Sequence, residues 1–291
     1  MKNIVEVYCL IDNFVKMIES KNTKILAGRK SALNKADYIT LALFKQEYGI
    51  KTTKQLYEFV RDYMQKDFPP LPSYQQFNEG INSTFRYLVI IVWLLTKMTR
   101  KRGAKYHIVD SSPLPVCNNQ YRFLAKVFKG LARPGKNLNG WFWGFKLHLI
   151  INQDMEIESI RISDGSMHDI DVLEGDFIEG IRGWLVGDKG YIGQKKAQEL
   201  AAKDIKLVTR TRANMKKNPA LPIHNYLLSK RQAIESTFSY LKHRLSALNS
   251  YARSAEGFFV NVFAALFSYT LKFTKNQNML LSQEFSMSLI S

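Results

Sequence analysis

Through the first hundred positions apolar residues recur at helical spacing, and each run ends where a helix should end. Positions 1–20 predict one helix and Asp37–Tyr48 a second that stops at Gly49. Thr52 or Thr53 can cap a third over Lys54–Gln65, which ends before Pro69, Pro70 and Pro72. A fourth, Tyr74–Met98, closes on Thr99, Arg100, Lys101 and Arg102. From about residue 104 the period shortens. Tyr106–Asp110 predicts a short buried strand, and Gly144–Ile151 with Met155–Ile162 predict two more, joined by a turn at Asn152, Gln153 and Asp154. Met167–Glu179 then predicts a helix, Trp184–Gly187 a strand, Gln194–Lys203 a helix, Lys206–Arg210 a strand and Ser229–Leu248 a long helix. Glu256–Lys275 is one more apolar helix, free to pack on either region. The order βββαβαβα predicts an α/β domain, a mixed sheet flanked by helices, preceded by an all-helical N-terminal domain. The expected division is 1–103 helical, 104–275 the α/β domain, and 276–291 a tail.

Charge adds a partner to this outline. The 291 residues carry 42 Lys and Arg against 25 Asp and Glu, a formal net charge of +17, while 46% are hydrophobic. That apolar content takes the chain out of the disordered class, so a folded protein should meet a polyanion. The excess is uneven: residues 1–100 net +6, 152–190 net −7 and 195–253 net +10. Arg122, Lys126, Lys129, Arg133, Lys136 and Lys146 follow one another between the first two strands without an acid among them. Such a run, loop-like around Arg133, Pro134 and Gly135, fits backbone tracking of nucleic acid or a solvated basic loop. Lys206, Arg210, Arg212, Lys216 and Lys217 form a second acid-free group. Cys9 and Cys117 match no metal or redox spacing, which predicts a reduced, cytoplasmic compartment. Glu6 and Asp12 interrupt the N-terminus before a signal-like apolar stretch forms. The longest apolar run, Tyr87–Leu95, has nine residues against the roughly 20 a membrane span needs, so no membrane partner is expected.

Three acids stand out. Asp110 ends the first predicted strand, Asp188 ends the fourth within GDKGY, and Glu235 lies in a helix dense with positive charge. Strand ends of an α/β sheet are where ligands bind, and carboxylate oxygens there suit Mg²⁺, with Mn²⁺ able to substitute. Two such ions about 4 Å apart activate a water or 3′-hydroxyl and steady a leaving oxygen in phosphodiester displacement. Each acid alone also reads as a turn or helix residue: Asp110 capping Ser111–Pro113, Asp188 in a Gly-bounded turn, Glu235 in a helical salt bridge. Around Glu235 the sequence is KRQAIESTFSYLKHR. On an uninterrupted α-helix, Arg231 four residues before it and Lys242 seven after it fall within about 40° and about 20° of its face. One acid between two cations suits a metal ligand between phosphate clamps.

At these residues the chain resembles the DDE-type transposases of bacterial insertion sequences, which have a ribonuclease H-like catalytic core. IVDSSPLP, GFKLHLIIN, SDGSMHDI, LVGDKGYIG and KRQAIESTFSYLKHR carry the resemblance over roughly residues 104–275, and EYGIKTTKQLYEFVRDY is similar to the leader domain of such enzymes. Their signature places Tyr, two residues, Arg, three residues, Glu, six residues and Lys in order. Arg231, Glu235 and Lys242 match it, while its Tyr position holds Leu228. The resemblance implies Asp110, Asp188 and Glu235 as ligands of two Mg²⁺ ions, and Arg231 and Lys242 as contacts to transposon-end DNA. It further implies double-stranded DNA as partner, both terminal inverted repeats and target, with a homodimer in the synaptic complex and a bacterial, nucleoid-associated location. The separation of 47 positions from Asp188 to Glu235 leaves no room for the inserted domain some members carry.

Other residues admit two readings. The segment around Gly49 is either a helix-turn-helix or a bundle hairpin. Trp141, Phe142 and Trp143 alternate as core, or one ring stacks on an unpaired base. His168 and Asp169 open a predicted helix, where Asp169 satisfies free N–H groups or joins the site. A DNA-binding regulator without catalysis, or a structure-selective nuclease of the same fold, remain the competing functions.

Overall fold

The structure is a computed structural model that describes residues 4–21, 31–101, 103–123, 126–137, 140–210, 222–247 and 252–274. Two compact units are present, one of residues 1–92 with 241–291 and the other of residues 93–240.

The first unit is helical. Helix α1 (Ile4–Ser20) buries Val7, Leu10, Ile11, Phe14 and Val15, the spacing of a single stripe. Helix α2 (Lys35–Glu47) is buried on nearly every side and starts from a reciprocal cap between Asn34 and Asp37. It packs against α1, against α4 (Tyr74–Asn82) and against α9 (Ala255–Phe273). Gly80 makes the α4 contact possible, because a β-carbon there would fall inside the Tyr38 ring. Helix α3 (Thr53–Tyr63) turns Leu56 and Val60 inward after the Thr52 cap. Its outer face mixes Lys54, Glu58, Arg61 and Asp62, two of each sign. Glu256–Lys275, which could have joined either region, forms α9 in the N-terminal unit.

Helix α5 (Phe85–Lys101) leads to the sheet. The predicted helix Tyr74–Met98 is two helices, since α4 stops at Asn82, where Ser83 and Thr84 turn their hydroxyls back onto the carbonyls of Gly80 and Ile81. The stretch Tyr74–Arg100 is long and apolar enough to cross a membrane by length and composition alone. Leu88, Ile91, Val92 and Leu95 within it are nonetheless buried inside the protein.

In the second unit the strands are β1 (Tyr106–Cys117), β2 (Arg133–Asn137), β3 (Gly140–Asn152), β4 (Ile157–Asp164), β5 (Gly183–Gly187) and β6 (Ile205–Thr209). β3 pairs antiparallel with β1, and on its other edge with β2 and then β4; β5 joins β1 in parallel and β6 joins β5 in parallel. This is the mixed sheet, flanked by helices and preceded by a helical region, that the pattern predicts. Alternation along β5 buries Leu185 on one face with Val109, Phe177 and Ile205, and Val186 on the other with Val208 and Leu227. Helix α6 (Gln194–Ala201) packs on β6, and α7 (Pro222–Ser229) covers β5 and β6.

Four expectations change here. β1 does not stop at Asp110 but runs to Cys117 through Pro113 and Pro115. Pairing with β5 ends at Ile108, so the later residues form an edge on that side, where a missing N–H costs little. Arg133, Pro134 and Gly135 are strand β2, held against Phe142, Trp143 and Gly144, and not a loop. The helix expected over Met167–Glu179 is two 3₁₀ turns, Asp169–Val172 and Gly175–Phe177, because Gly175 takes φ +56° and breaks the run. Ser229–Leu248 is also broken: α7 ends at Ser229, α8 covers Gln232–Ser239, and a π-helical turn follows over Tyr240–Arg244. Leu248 lies outside the described residues.

Buried polar groups secure the sheet. His107 Nδ1 lies 2.5 Å from Glu158 Oε2 and its Nε2 lies 2.9 Å from the Arg182 carbonyl. Arg100, one of the basic residues that close the fourth predicted helix, donates to the carbonyls of Glu158, Asp176 and Glu179. On β3, His148 is fully buried with Nε2 2.8 Å from Ser163 Oγ, and burial pushes its pKa down to about 4. A His whose folded pKa is depressed binds fewer protons folded than unfolded between pH 4 and 6.5, so stability falls as pH drops through that window. Denaturant melts of the wild type and His148→Gln at pH 7 and pH 4.5 should therefore show the larger acid loss in the wild type. Equal losses would remove His148 from that account.

Candidate active site

Asp110 and Asp188 are brought together by register. Tyr106, His107 and Ile108 of β1 stand opposite Trp184, Leu185 and Val186 of β5. Carried two residues further along parallel strands, the same offset sets Asp110 opposite Asp188, with neighbouring strands about 4.8 Å apart. Asp188 caps the turn Lys189–Tyr191, its Oδ1 accepting from Gly190 N at 2.6 Å. Asp110 Oδ1 accepts from Ser111 N at 2.8 Å and Oδ2 from Arg231 Nη2 at 3.1 Å. Burial raises the Asp110 pKa to about 6; the Ser111 N–H and Arg231 oppose that rise and the charge of Asp188 adds to it.

Glu235 enters from α8, which packs on β1. The same Arg231 Nη2 that holds Asp110 is 4.0 Å from Glu235 Oε1. Arg231 thus stands between two of the three acids and is itself 15% exposed, whereas the Glu235 side chain is 62% exposed. Lys242 lies beyond the end of α8, in the π-helical turn, so the seven-residue phase of an uninterrupted α-helix does not extend to it. It is half-buried, and burial lowers its pKa.

A fourth acid approaches from the other face of β1. Side chains alternate along a strand, so Ser111 points away from Asp110. Asp169 Oδ1 accepts from Ser111 Oγ at 2.9 Å and from Lys146 Nζ at 3.1 Å. A β-carbon on Gly190 would lie 2.9 Å from Asp188 Oδ1 and 3.0 Å from Asp169 Oδ2, so the second Gly of GDKGY is where the two carboxylates crowd the chain. Tyr191 is the residue that sequence reasoning missed. Its hydroxyl is buried with no hydrogen-bond partner, and burial, then the charges of Asp169, Asp110 and Asp188, hold its pKa well above the usual 10. The only sequence signal was its place in GDKGY, which periodicity reads as a turn.

Of the basic residues, Lys146 is taken by Asp169 and the Met167 carbonyl, so it belongs to the sheet and not to a DNA-tracking run. Lys126 and Lys129 are exposed on and after a short 3₁₀ turn, and Arg133 and Lys136 are exposed on β2. Arg122 donates to Asn119 Oδ1 and covers the Phe123 ring. Trp141 is 62% exposed beneath Lys136, while Phe142 is buried, so one of the three rings leaves the core. Arg210 is exposed just past β6, and Arg212, Lys216 and Lys217 lie outside the described residues.

Hard oxygen donors from Asp110 and Asp188, side by side, suit a divalent cation, and a cation there would offset the cost of burying Asp110 ionised. Among the described residues no three His, Cys, Asp or Glu side chains converge on one metal position, Arg231 standing between Asp110 and Glu235. Removing one member of the largely buried Asp110–Arg231 pair leaves the other charge uncompensated, which costs about 3 kcal/mol. Unfolding of Arg231→Met, Asp110→Asn and the double variant in chelator should give a coupling of about 1–3 kcal/mol. Additive effects would mean the pair is not formed.

Comparison with known proteins follows the same direction. The search of curated proteins returned no match. Among solved structures, the piggyBac transposase, seen by cryo-EM in a synaptic complex with hairpin DNA, aligns over 100% of this chain and 82% of its own at a TM-score of 0.53 and 11% identity, a likeness of fold. The family described as transposase DDE domain matches residues 100–255, more than half of the sequence, and the chain belongs to that family.

Proposed function

We propose that the protein cleaves phosphodiester bonds at the terminal inverted repeats of a bacterial insertion sequence and joins the freed 3′-hydroxyls to target DNA. What supports the reading is the parallel register of β1 with β5, whose offset, carried two residues on, lines Asp110 up with Asp188 within a transposase DDE domain. In this reading Asp110 and Asp188 would hold Mg²⁺, or Mn²⁺ in its stead, and Glu235 would join them with Arg231 moved from between it and Asp110. Two ions bound there would activate the attacking oxygen and stabilise the leaving one. Arg231 orients Asp110 Oδ2, with guanidinium donors left over for a phosphate of the transposon end. Lys242 serves as a second phosphate contact.

The exposed cations Lys126, Lys129, Arg133 and Lys136, with Arg122 and Arg210, track duplex DNA, and Arg212, outside the described residues, is a further DNA contact in this reading. The helical N-terminal domain, 1–103, supplies further DNA contacts, and a homodimer brings two ends together. That the piggyBac structure is a synaptic complex with hairpin DNA supports DNA as the partner.

Asp188→Asn should abolish Mg²⁺-dependent cutting of the cognate terminal repeats while duplex binding, read by gel shift, is retained. Unchanged cutting by that variant would overturn the assignment, and specific binding by the wild type with no cutting in either metal would favour a silent regulator. If about six phosphates are neutralised, log K for duplex binding falls with log salt at a slope of about −5. A slope near zero would detach the +17 charge from DNA.

A further inference from the structure

The helical unit holds a cavity of about 560 Å³ that the catalytic reading does not use. Lys45 lines it from the middle of the bundle with 5% of its surface exposed. The Lys45 ammonium donates at 2.5 Å to Asn261 Oδ1, which also accepts from Gln46 Nε2 at 3.1 Å, while Asn261 Nδ2 donates to the Gly257 carbonyl at 2.8 Å. The amide therefore aims Lys45 but brings it no negative charge, and among the described residues no carboxylate forms an ion pair with it. Burial lowers its pKa to about 8. A buried ammonium without a counterion is costly unless something anionic joins it.

The rest of the lining is of one sign. Lys51, Lys54 and Arg253 border the cavity, and among the described residues no acid does. Lys54 has Glu58 only at 3.9 Å on an exposed surface. The cap residues of two helices, Thr52 of α3 and Ser254 of α9, also line it, so both helix N-termini open there with their partial positive charge. Four cations and two helix starts exceed what one carboxylate would answer and match a multiply charged group with several acceptor oxygens. The volume falls in the range of small-ligand sites.

We propose that this cavity is a binding site for a phosphate group, with Lys45 as its buried anchor and Lys51, Lys54 and Arg253 at its mouth. The phosphate comes either from the backbone of a duplex laid against the helical unit or from a free phosphate compound. The site stands apart from the metal assignment, so Asp188→Asn should leave it intact.

Thermal melts of the full chain in inorganic phosphate and in sodium chloride at matched ionic strength test it. Saturating phosphate should raise the wild-type Tm over chloride by about 2–4 °C. Lys45→Met, which removes the uncompensated charge, should melt in chloride no lower than wild type and lose the phosphate increment. Arg253→Ala, at an exposed position that leaves the core untouched, should show a reduced increment and carries the test if Lys45→Met does not fold. No increment in the wild type, or the full increment in the variants that fold, would overturn the proposal. Given that result, binding of duplex lacking the terminal repeats separates the sources. Backbone phosphate in the cavity means that Arg253→Ala weakens all sequences alike and lowers the salt slope by about 1. Unchanged DNA affinity, with the phosphate increment still reduced, identifies a free phosphate compound.

Discussion

The parallel pairing of β1 with β5 runs for three residues, Tyr106–Ile108 against Trp184–Val186, and then stops. Much of the candidate site depends on that short contact. The register fixes which residue of GDKGY stands beside Asp110, and the early end of the pairing leaves the second half of β1 as an edge that accepts Pro113 and Pro115. A slip by one residue would turn Leu185 and Val186 to the wrong faces of the sheet, so the two hydrophobic layers on either side hold the register in place. The carboxylates inherit their positions from apolar packing that lies beneath them.

Arg231 reaches Asp110 and Glu235, and Lys146 reaches Asp169 on the other face of β1; both cations are largely withdrawn from solvent, at 15% and 13% exposure. These two are spent on orienting acids. Lys126, Lys129, Arg133 and Lys136 stay exposed on β2 and the turns before it, in a stretch of sequence without acids. The same division recurs in the helical unit, where Lys45 is held inward by a neutral amide and Lys51 and Arg253 remain at the surface. Net charge therefore says little about any one residue, since similar side chains do different work according to burial.

How much was legible can be argued element by element. Helices α1, α2 and α3 were predicted to within a few residues because their apolar stripes, the stop at Gly49 and the Thr52 cap are local signals. The strands that became β3 to β6 were legible for the same reason. β2 was missed because RPGKN reads as a turn, and only β3 beside it supplies the hydrogen bonds that make it a strand. The break between α7 and α8 was missed because the apolar stripe runs on through Leu227, Leu228, Ile234 and Phe238 regardless of the interruption. That break alters the site, since the phase argument that put Lys242 on the face of Glu235 needed an unbroken α-helix.

The sequence by itself determined most of the elements and their order, the sign and location of the charge, and the residues that match a DDE signature, because each is written in spacings of a few positions along one segment. Only the tertiary structure decided which acids meet. It set Asp110 beside Asp188 across 78 positions of chain, put one nitrogen of Arg231 between Asp110 and Glu235, brought Asp169 to Ser111, buried the Tyr191 hydroxyl among them, and joined α9 to the N-terminal helices around Lys45. The physical reason is that periodicity encodes a side chain's face on its own element, while the partner of that face is chosen by burial and register between elements far apart in sequence.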